Sequence, residues 1–386
     1  MKNLYANFDA LYVAFQGCLP RVNRERFAEV KARAGESGKP ERLRIGHVTG
    51  HVKATGAQGG YAFVFDMGDL KHRLLFKDNG KPDEWNIFAQ VSSESLIVNG
   101  LEGAKKELFA DLHALGIKIA GHAINRLDFA CDFESETFKL CPENFVAHHA
   151  STAKRHYEKT EQGELDSENL SIVGLSDVTS VTIGTMPNRQ IIVYNKLKEV
   201  RKKQKFHWME VWGVDKKHDV NIWRVEVRAG KHHLKSWNIN TFADLEQCAG
   251  DMFIEAFEKI RYVETRDVSN ISRAKLHELW LDVVDIITNK LWDYIAGVTR
   301  GRIREVKRHE YREMIDAQNI GLIATSIATE KTDLSGAKFK RYIIAKTTAR
   351  VSMYLDREWG EFCDKIARAK DRLIFLDDLE PTEQTA

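Results

Sequence analysis

The sequence predicts an α+β fold, in which a mainly antiparallel β-sheet with flanking helices is followed by a helical C-terminal region. Up to about residue 240, short segments rich in aromatic and β-branched residues are bounded by Gly, Asp and Asn, which is typical of strands joined by turns. Beyond that position, apolar residues recur at helical spacing. A chain of 386 residues is long enough for two domains, or for one domain with a large appendage.

The predicted strands share short length, aromatic or β-branched content and turn residues at their ends. They cover residues 10–15, 60–67, 73–78, 84–91, 124–133, 179–185, 189–196 and 221–230. Between them, Leu101, Leu108, Leu112 and Leu115 lie at helical spacing and predict a helix over residues 101–116.

Three further helices are predicted from apolar periodicity, over residues 252–260, 276–291 and 351–366. Polar segments predict exposed loops at 158–170 and 329–338, and the last ten residues form an acidic tail that is expected to be mobile. The predicted organisation is therefore a mixed α+β domain over 1–240, a helical region over 241–376, and the tail over 377–386.

Composition excludes several classes of protein. A hydrophobic fraction of 43% with eight tryptophans is sufficient for buried cores and does not fit a disordered chain. No apolar run is long enough to cross a bilayer, and the first residues lack the features of a signal peptide. Five dispersed cysteines without a C-x-x-C pair indicate reduced thiols. We therefore expect a cytoplasmic protein without membrane contact.

Positive charge is local in this chain. The net charge is only +2, so affinity for nucleic acid must come from clusters. Two basic stretches meet this need, at residues 196–205 and 301–312. The candidate DNA contacts, taken from these stretches and from the strand motifs below, are Arg126, Arg189, Lys198, Arg201, Lys202, Arg224, Arg228, Arg304 and Arg308.

The segment RLDFACDF places acidic residues on one face of a strand. Because alternate side chains share a face, Arg126, Asp128 and Asp132 point one way. The residues between them point into a core, namely Leu127, Phe129, Cys131 and Phe133. An ordinary solvated strand gives the same pattern. The Cα atoms of Asp128 and Asp132 are separated by roughly 13 Å in a regular strand. Without a bulge, both carboxylates cannot hold one metal ion.

Two other strands carry comparable faces. In WRVEVRAG, Glu226 shares a face with Arg224 and Arg228, which fits either a surface ion cluster or a metal-binding carboxylate beside a phosphate-binding surface. In RQIIVYNK, Tyr194 and Lys196 share a face. A strand tyrosine is usually a packing residue, but beside a metal carboxylate it can attack a DNA phosphodiester.

Taken in order, these motifs resemble the replication initiation factor family of rolling-circle initiators and relaxases, and most of all its filamentous-phage members. The matching pieces are DALYV near the start, RLDFACDF, TIGTMPNRQIIVYNKLKE and WRVEVRAG, in the family's order within residues 5–240. The resemblance makes residues 1–240 a catalytic nicking domain and leaves residues 241–376 as a DNA-binding or oligomerisation region. The resemblance implies a metal-dependent nickase whose tyrosine becomes linked to the 5′ end of the cut strand. It places the nucleophile at Tyr194, with Lys196 beside it, and the metal ligands at Asp128, Glu226 and Asp132.

The expected cation is Mg²⁺ or Mn²⁺. None of the fourteen histidines forms a His-hydrophobic-His pair, so carboxylate ligation by a hard cation is favoured over zinc. Asp128 and Glu226 lie in strands that could pair, which would bring the two carboxylates to one cation. No G-x-x-x-x-G-K-[ST] loop is present, so we expect no nucleotide cofactor and a separate host helicase and polymerase.

The expected DNA partner is a supercoiled or single-stranded replication origin of a phage or plasmid, and a homodimer is consistent with the helical region. A relaxase of a mobile element would use the same chemistry. A tyrosine recombinase is disfavoured because its arginine-histidine constellation is not found. The strongest alternative of another class is a non-enzymatic origin- or promoter-binding protein, in which Tyr194 packs or stacks and the carboxylates form surface ion pairs.

Overall fold

The structure is a computed structural model of the chain. It describes residues 1–147, 153–157, 178–266, 273–293, 298–330 and 334–376. The predicted loop at 158–170 and the predicted tail at 377–386 lie outside the described residues, as does part of the predicted loop at 329–338.

One antiparallel sheet of eleven strands forms the centre of the fold. Its strands in chain order are β1 (Lys2–Gln16), β2 (Glu41–Ile45), β3 (Val48–Val52), β4 (Tyr61–Asp66), β5 (His72–Lys77), β6 (Trp85–Val91), β7 (Gly121–Glu134), β9 (Ala153–Tyr157), β10 (Val178–Thr185), β11 (Arg189–Asn195) and β12 (Ile222–Gly230). The spatial order is β2-β3-β4-β5-β6-β1-β7-β12-β11-β10-β9. A second, two-stranded sheet pairs β8 (Phe145–Ala147) with β13 (Ile260–Tyr262).

Helices are interspersed among the strands, and after β13 the described elements are helical. They are α1 (Arg21–Ser37), α2 (Ser93–Ala114), α3 (Lys196–Lys203), α4 (His207–Trp212), α5 (Lys231–Ser236), α6 (Phe242–Lys259), α7 (Glu278–Lys290), α8 (Arg300–Ala328) and α9 (Gly336–Arg372). This arrangement confirms the predicted fold class, an antiparallel sheet with flanking helices and a helical C-terminal region.

The two faces of the large sheet differ in chemistry. On what we call the core face, alternate residues such as Phe129 of β7 are buried against helices, with the Phe129 and Phe253 rings 6.1 Å apart. Phe27 of α1 packs in the same way against Phe65 of β4, at 5.2 Å. The opposite face, here called the charged face, carries Asp128 and the other polar motif residues, because strand neighbours alternate between faces.

Local signals fix the ends of the helices that cover the core face. The Ser92 hydroxyl accepts a hydrogen bond from the Ser95 amide at the start of α2. At the start of α6, Thr241 and Asp244 form a reciprocal capping box. These caps place the apolar sides of α2 and α6 on the sheet. Helix α1 and strands β2 and β3 were not predicted from the sequence.

The chain divides into two compact units. The first comprises residues 1–203 and 208–299, and the second comprises 204–207 and 300–386. Helices α6 and α7 belong to the first unit, where Phe253, Phe257 and Trp280 are buried in the same core as the sheet. The functional division proposed near residue 240 stays a prediction, but the packing continues to about residue 299.

The second unit is built mainly from the long helices α8 and α9. The helix predicted from the apolar residues at 351–366 lies within α9. Its apolar side is largely exposed, with Val351 at 53% and Trp359 at 60% of their full accessibility. Among the described residues, no helix is both long enough and apolar enough to span a membrane.

A chain that ends at residue 240 should fail to fold, whereas a chain that ends after Thr299 should fold. The shorter chain loses buried Phe253, Phe257 and Trp280, each contributing roughly 1.5–3 kcal/mol of burial free energy. That loss is comparable with the roughly 5–15 kcal/mol stability of a typical domain. Circular dichroism and thermal unfolding of both chains check this, and a cooperative transition for the 240-residue chain near that of the longer one would contradict it.

Candidate active site on the charged sheet face

Strand register brings the three sequence motifs together. Strand β12 lies between β7 and β11, and Arg224 of β12 is opposite Asp132 in one neighbour and Tyr194 in the other. The predicted pairing of the Asp128 and Glu226 strands is present in the structure. The motif residues that share the charged face are Arg126, Asp128, Asp132, Tyr194, Arg224, Glu226 and Arg228.

The Tyr194 hydroxyl lies between a carboxylate and an ammonium group. It donates to Glu226 Oε2 at 3.4 Å, and Lys196 Nζ donates to Tyr194 Oη, also at 3.4 Å. Both distances are long for hydrogen bonds, as is common for catalytic groups without a substrate. Burial raises the pKa of Tyr194 well above its usual value near 10, and Glu226 adds to this while Arg224 opposes it. The phenol is therefore protonated at neutral pH.

Lys196 is the first residue of α3 and does not continue the strand as the sequence predicted. The helix starts here because the Asn195 side chain accepts a hydrogen bond from the Lys198 amide at 2.9 Å. The side chain nevertheless turns towards Tyr194, with its ammonium 4.8 Å from the Trp208 ring centroid. Burial, reinforced by Arg224, lowers the pKa of Lys196.

Glu199 holds the Lys196 ammonium, with Oε2 2.6 Å from Nζ. Burial by itself raises the pKa of Glu199, but Lys196 and Lys203 outweigh it and lower the pKa to about 2. The Glu199 carboxylate therefore stays ionised at neutral pH, and its contact fixes the position of the Lys196 amino group beside the phenol. The sequence analysis did not identify Glu199, although its spacing of three residues from Lys196 on a helix is a usable signal.

A buried ion network lies directly behind Tyr194. Arg224 donates to both Asp132 oxygens, at 2.6 and 2.8 Å, and to Asp9 at 2.9 Å. The Trp212 indole also donates to Asp132, at 2.8 Å, and the Trp208 ring covers the guanidinium at 4.2 Å. Arg224 and Asp132 are fully buried. Binding of a metal ion by Asp132, or of a DNA phosphate by Arg224, would require this pair to break.

A second ion cluster involves Asp128 and Glu226. Arg126 donates to Asp128 at 2.9 and 3.0 Å, and Arg228 donates to Glu226 Oε1 at 2.6 Å while lying 3.7 Å from Asp128. Burial raises the pKa of Asp128 to about 7, and the neighbouring Glu226 carboxylate contributes although Arg126 opposes the shift. The two carboxylates are thus close enough to repel each other.

Asp128 and Glu226, the two carboxylates predicted to hold a cation, belong to one ion cluster in which Arg228 lies near both. Their mutual repulsion marks a position where a divalent cation would be stabilised, and Mg²⁺ in proteins keeps several water ligands. Binding requires Arg228, whose side chain is 29% exposed, to leave Glu226. In the part of the chain that the structure describes, no group of three or more His, Cys, Asp or Glu residues is arranged to hold a metal.

The other predicted DNA contacts lie in different places. Arg189 is on the core face, 3.8 Å from Glu255 of α6, on the opposite side of the sheet from Tyr194. Of the residues on α3, Lys202 is exposed and Arg201 donates to the His218 carbonyl. Arg304 and Arg308 belong to α8 in the second unit, and the Arg308 guanidinium donates to the Leu376 carbonyl at 2.9 Å. Within the sheet, Arg189 therefore lies on the opposite face from Arg126, Arg224 and Arg228.

Some residues of the site escaped the sequence analysis. Asp9 and Trp212 complete the Arg224 network, and Trp208 covers both Arg224 and Lys196. The four-residue spacing of the two tryptophans places them on one side of a helix, which is a detectable pattern. Asp9 begins the segment DALYV, which belongs to the resemblance, but the sequence does not show its contact with Arg224, which spans 215 positions.

Comparison with known proteins gives little direct evidence. No model of a known protein family matches the chain, and no curated protein matches it. Among solved structures, the chain is similar to one titled "Structure of Rolling Circle Replication Initiator Protein from Geobacillus stearothermophilus". The sequence identity is 14%, the match covers 75% of this chain and 98% of that chain, and the TM-score is 0.42. A TM-score below 0.5 does not establish a shared fold.

Replacing Asp132 by Ala should destabilise the protein by roughly 3–5 kcal/mol, because it leaves the buried Arg224 guanidinium without its main partner. The measurement is the free energy of unfolding from urea denaturation. Glu246→Ala is the control, since Glu246 pairs with Lys105 on the surface and its loss should cost less than about 1 kcal/mol. Equal effects of the two substitutions would contradict a structural role for Asp132.

Proposed function

We propose that this chain initiates rolling-circle DNA replication by nicking one strand at an origin, with Tyr194 as the nucleophile, in the cytoplasm of a bacterial host. One observation carries the proposal. The Tyr194 hydroxyl lies 3.4 Å from both the Glu226 carboxylate and the Lys196 ammonium, next to a second buried carboxylate. The order of the motifs in the sequence supports the same chemistry.

The proposed reaction is a transesterification at phosphorus. Tyr194 Oη forms a bond to the scissile phosphorus as the P–O3′ bond breaks, which leaves a 5′-phosphotyrosyl ester and a free 3′-OH. Glu226 is within reach of the phenolic proton and acts as its acceptor. Lys196, fixed by Glu199, stabilises the negative charge that develops on the phenol oxygen. The leaving 3′-oxygen gains its proton from solvent.

Asp128 and Glu226 would hold the divalent cation in this proposal, either Mg²⁺ or Mn²⁺. When bound, the cation polarises a phosphate oxygen and offsets the charge of the transition state. Arg228 exchanges its contact with Glu226 for a phosphate oxygen of the DNA, since it is half-buried and can move. Arg126 remains paired with Asp128 and orients it.

Basic residues that follow the tyrosine supply non-specific affinity. Lys198, Arg201 and Lys202 lie on α3, directly after the strand that carries Tyr194, and are suited to backbone phosphates.

The partners in this proposal are supercoiled or single-stranded origin DNA, a host helicase that opens the duplex, and a polymerase that extends the 3′-OH. The exposed apolar side of α9 is consistent with a homodimer, and Arg304 of α8 with origin contact.

Two other functions are weighed against this one. A relaxase of a plasmid or conjugative element would use the same residues and the same covalent intermediate. A non-enzymatic DNA-binding protein is favoured by one specific observation, namely that Asp128, Glu226 and Asp132 already form ion pairs with arginines. Only the nicking proteins require the hydroxyl of Tyr194.

Tyr194→Phe should abolish nicking and leave DNA binding unchanged, because it removes the attacking oxygen and keeps the ring. The assay uses supercoiled DNA of the replicon that encodes the chain, with Mg²⁺, and counts relaxed circles. Tyr5→Phe is the matched control on the same sheet face, where the Tyr5 ring packs edge-on against Trp208. Nicking by Tyr194→Phe at the wild-type rate would exclude Tyr194 as nucleophile.

Cleavage should stop in excess EDTA and recover on addition of Mg²⁺ or Mn²⁺. Glu226→Gln should lower the nicking rate by at least about 100-fold, since it removes both the proton acceptor and one cation ligand. Its melting temperature should stay close to that of the wild type because the amide keeps the shape and one oxygen. Glu246→Gln, on the surface, should nick normally. Undiminished nicking in EDTA would rule out the cation.

A further inference from the structure

A continuous row of rings and cations extends from the candidate active site across the charged face. The Arg126 guanidinium, which holds Asp128, lies 5.1 Å from the Tyr12 ring centroid. The Tyr12 and Phe88 rings are 5.9 Å apart, and the Phe88 and Tyr61 rings are 6.0 Å apart. Lys77 ends the row, with its ammonium 5.7 Å from the Tyr61 ring. Of these rings, Phe88 and Tyr61 lie outside the nicking motifs.

The row ends in a groove of about 530 Å³ on the first compact unit. Tyr61 and Phe88 line it together with Lys53, Arg73 and Gln90. Both rings are half-buried, so each is supported from behind by the sheet and accessible from the groove. A volume of this size is within the range of pockets that hold small organic groups.

The groove lies on the same face of the same sheet as Tyr194. Phe88 of β6 is opposite Ala14 of β1, and Tyr12 of β1 is opposite Arg126 of β7, so alternation keeps all of them on the charged face. Strand β6 is the fourth strand from β11 across the sheet. The row of side chains also moves along the strand direction as it crosses these strands. The resulting diagonal from Tyr194 to the groove is roughly 30 Å.

Charge in and around the groove favours an anion. Lys53, Arg73 and Lys77 are positive, and Asp66 is the acidic partner of the first two, at 3.8 Å from Lys53 and 2.9 Å from Arg73. The four side chains carry a net positive charge. Flat apolar rings flanked by excess cations match the two parts of a nucleotide, its base and its phosphate.

We propose that the groove between Tyr61 and Phe88 is a base-stacking subsite for single-stranded DNA, and that the bound strand follows the aromatic row towards Tyr194. The proposal rests on the proposed function in one respect, since the occupant is the strand that the Tyr194 site would cut. A base of a single strand exposes both of its faces for stacking, whereas the bases of a duplex are stacked on each other. The subsite therefore selects single strands with little regard to sequence.

Affinity for a short oligonucleotide tests this inference directly. The probe is a fluorescein-labelled oligothymidylate of about 16 nucleotides, the upper end of common single-strand site sizes. Binding is measured by anisotropy with full-length Tyr194→Phe protein in EDTA, so that cleavage plays no part. In that background, Phe88→Leu and Tyr61→Leu should each weaken binding at least about fivefold, because leucine fills much of the volume and cannot stack.

Trp85→Leu is the matched control. Trp85 is an aromatic residue of the same strand as Phe88, is 42% exposed and does not line the groove. It should leave the affinity unchanged. Affinities for the Phe88 and Tyr61 variants equal to that of the Trp85 variant would overturn the subsite. Equal losses of affinity for the oligonucleotide and for a duplex of the same length would overturn its selectivity for single strands.

A second measurement covers the case in which a variant does not fold, as judged by its thermal transition. An oligothymidylate with one 5-iodouracil is irradiated with the Tyr194→Phe protein, and cross-linked peptides are identified by mass spectrometry. Cross-links at Tyr61 or Phe88 support the subsite, and cross-links confined to other residues overturn it. The nicking proposal is tested separately. If Tyr194→Phe still relaxes supercoiled DNA, the nicking proposal fails, but both binding results keep their meaning.

Discussion

The candidate site depends on one buried guanidinium. Arg224 lies on β12, an interior strand of the sheet, is fully buried, and is held by Asp132 of β7 and Asp9 of β1. Burying these charges is costly, and only near-complete pairing offsets the desolvation. The network therefore fixes the relative positions of β1, β7 and β12. Tyr194 is opposite Arg224 in the next strand, so its position follows from the same constraint.

In the proposed reaction, the two groups next to the Tyr194 hydroxyl, Glu226 and Lys196, have different roles. Burial disfavours the phenolate, so an acceptor for the proton and a cation for the oxygen are both needed near the hydroxyl. Glu226 and Lys196 meet these two needs from different elements, a strand and the first turn of a helix. The ion pair between Lys196 and Glu199 keeps the ammonium in place when no DNA is bound.

Period-two patterns made much of the site predictable from the sequence. The shared face of Asp128 and Glu226, and the pairing of their strands, follow from alternation and are present in the structure. Helix α3 was harder, because the cap at Asn195 interrupts an apolar run that otherwise continues as a strand. The sequence also could not show that Asp132 is paired with Arg224. The two residues are 92 positions apart, and their contact depends on the register between their strands.

The same limit explains what was missed at the level of the fold. Helix α1 has few apolar residues, and only its contacts with the sheet bury Phe27 and Val30. Helices α6 and α7 looked like the start of a separate region, because their apolar periodicity does not reveal which surface they cover. In the structure they complete the core of the first unit. Sequence patterns identify helices and strands, whereas tertiary packing determines which of these elements contact each other.

The most direct measurement is the identity of the residue that becomes attached to DNA. Single-stranded replicon DNA is incubated with the protein and Mg²⁺, digested with nuclease and trypsin, and examined by mass spectrometry. Trypsin releases the peptide Gln190–Lys196, in which Tyr194 is the only tyrosine. We expect this peptide to carry a nucleotide through a 5′-phosphotyrosyl bond. A nucleotide on any other peptide, or cleaved DNA with no attached peptide, would contradict the account.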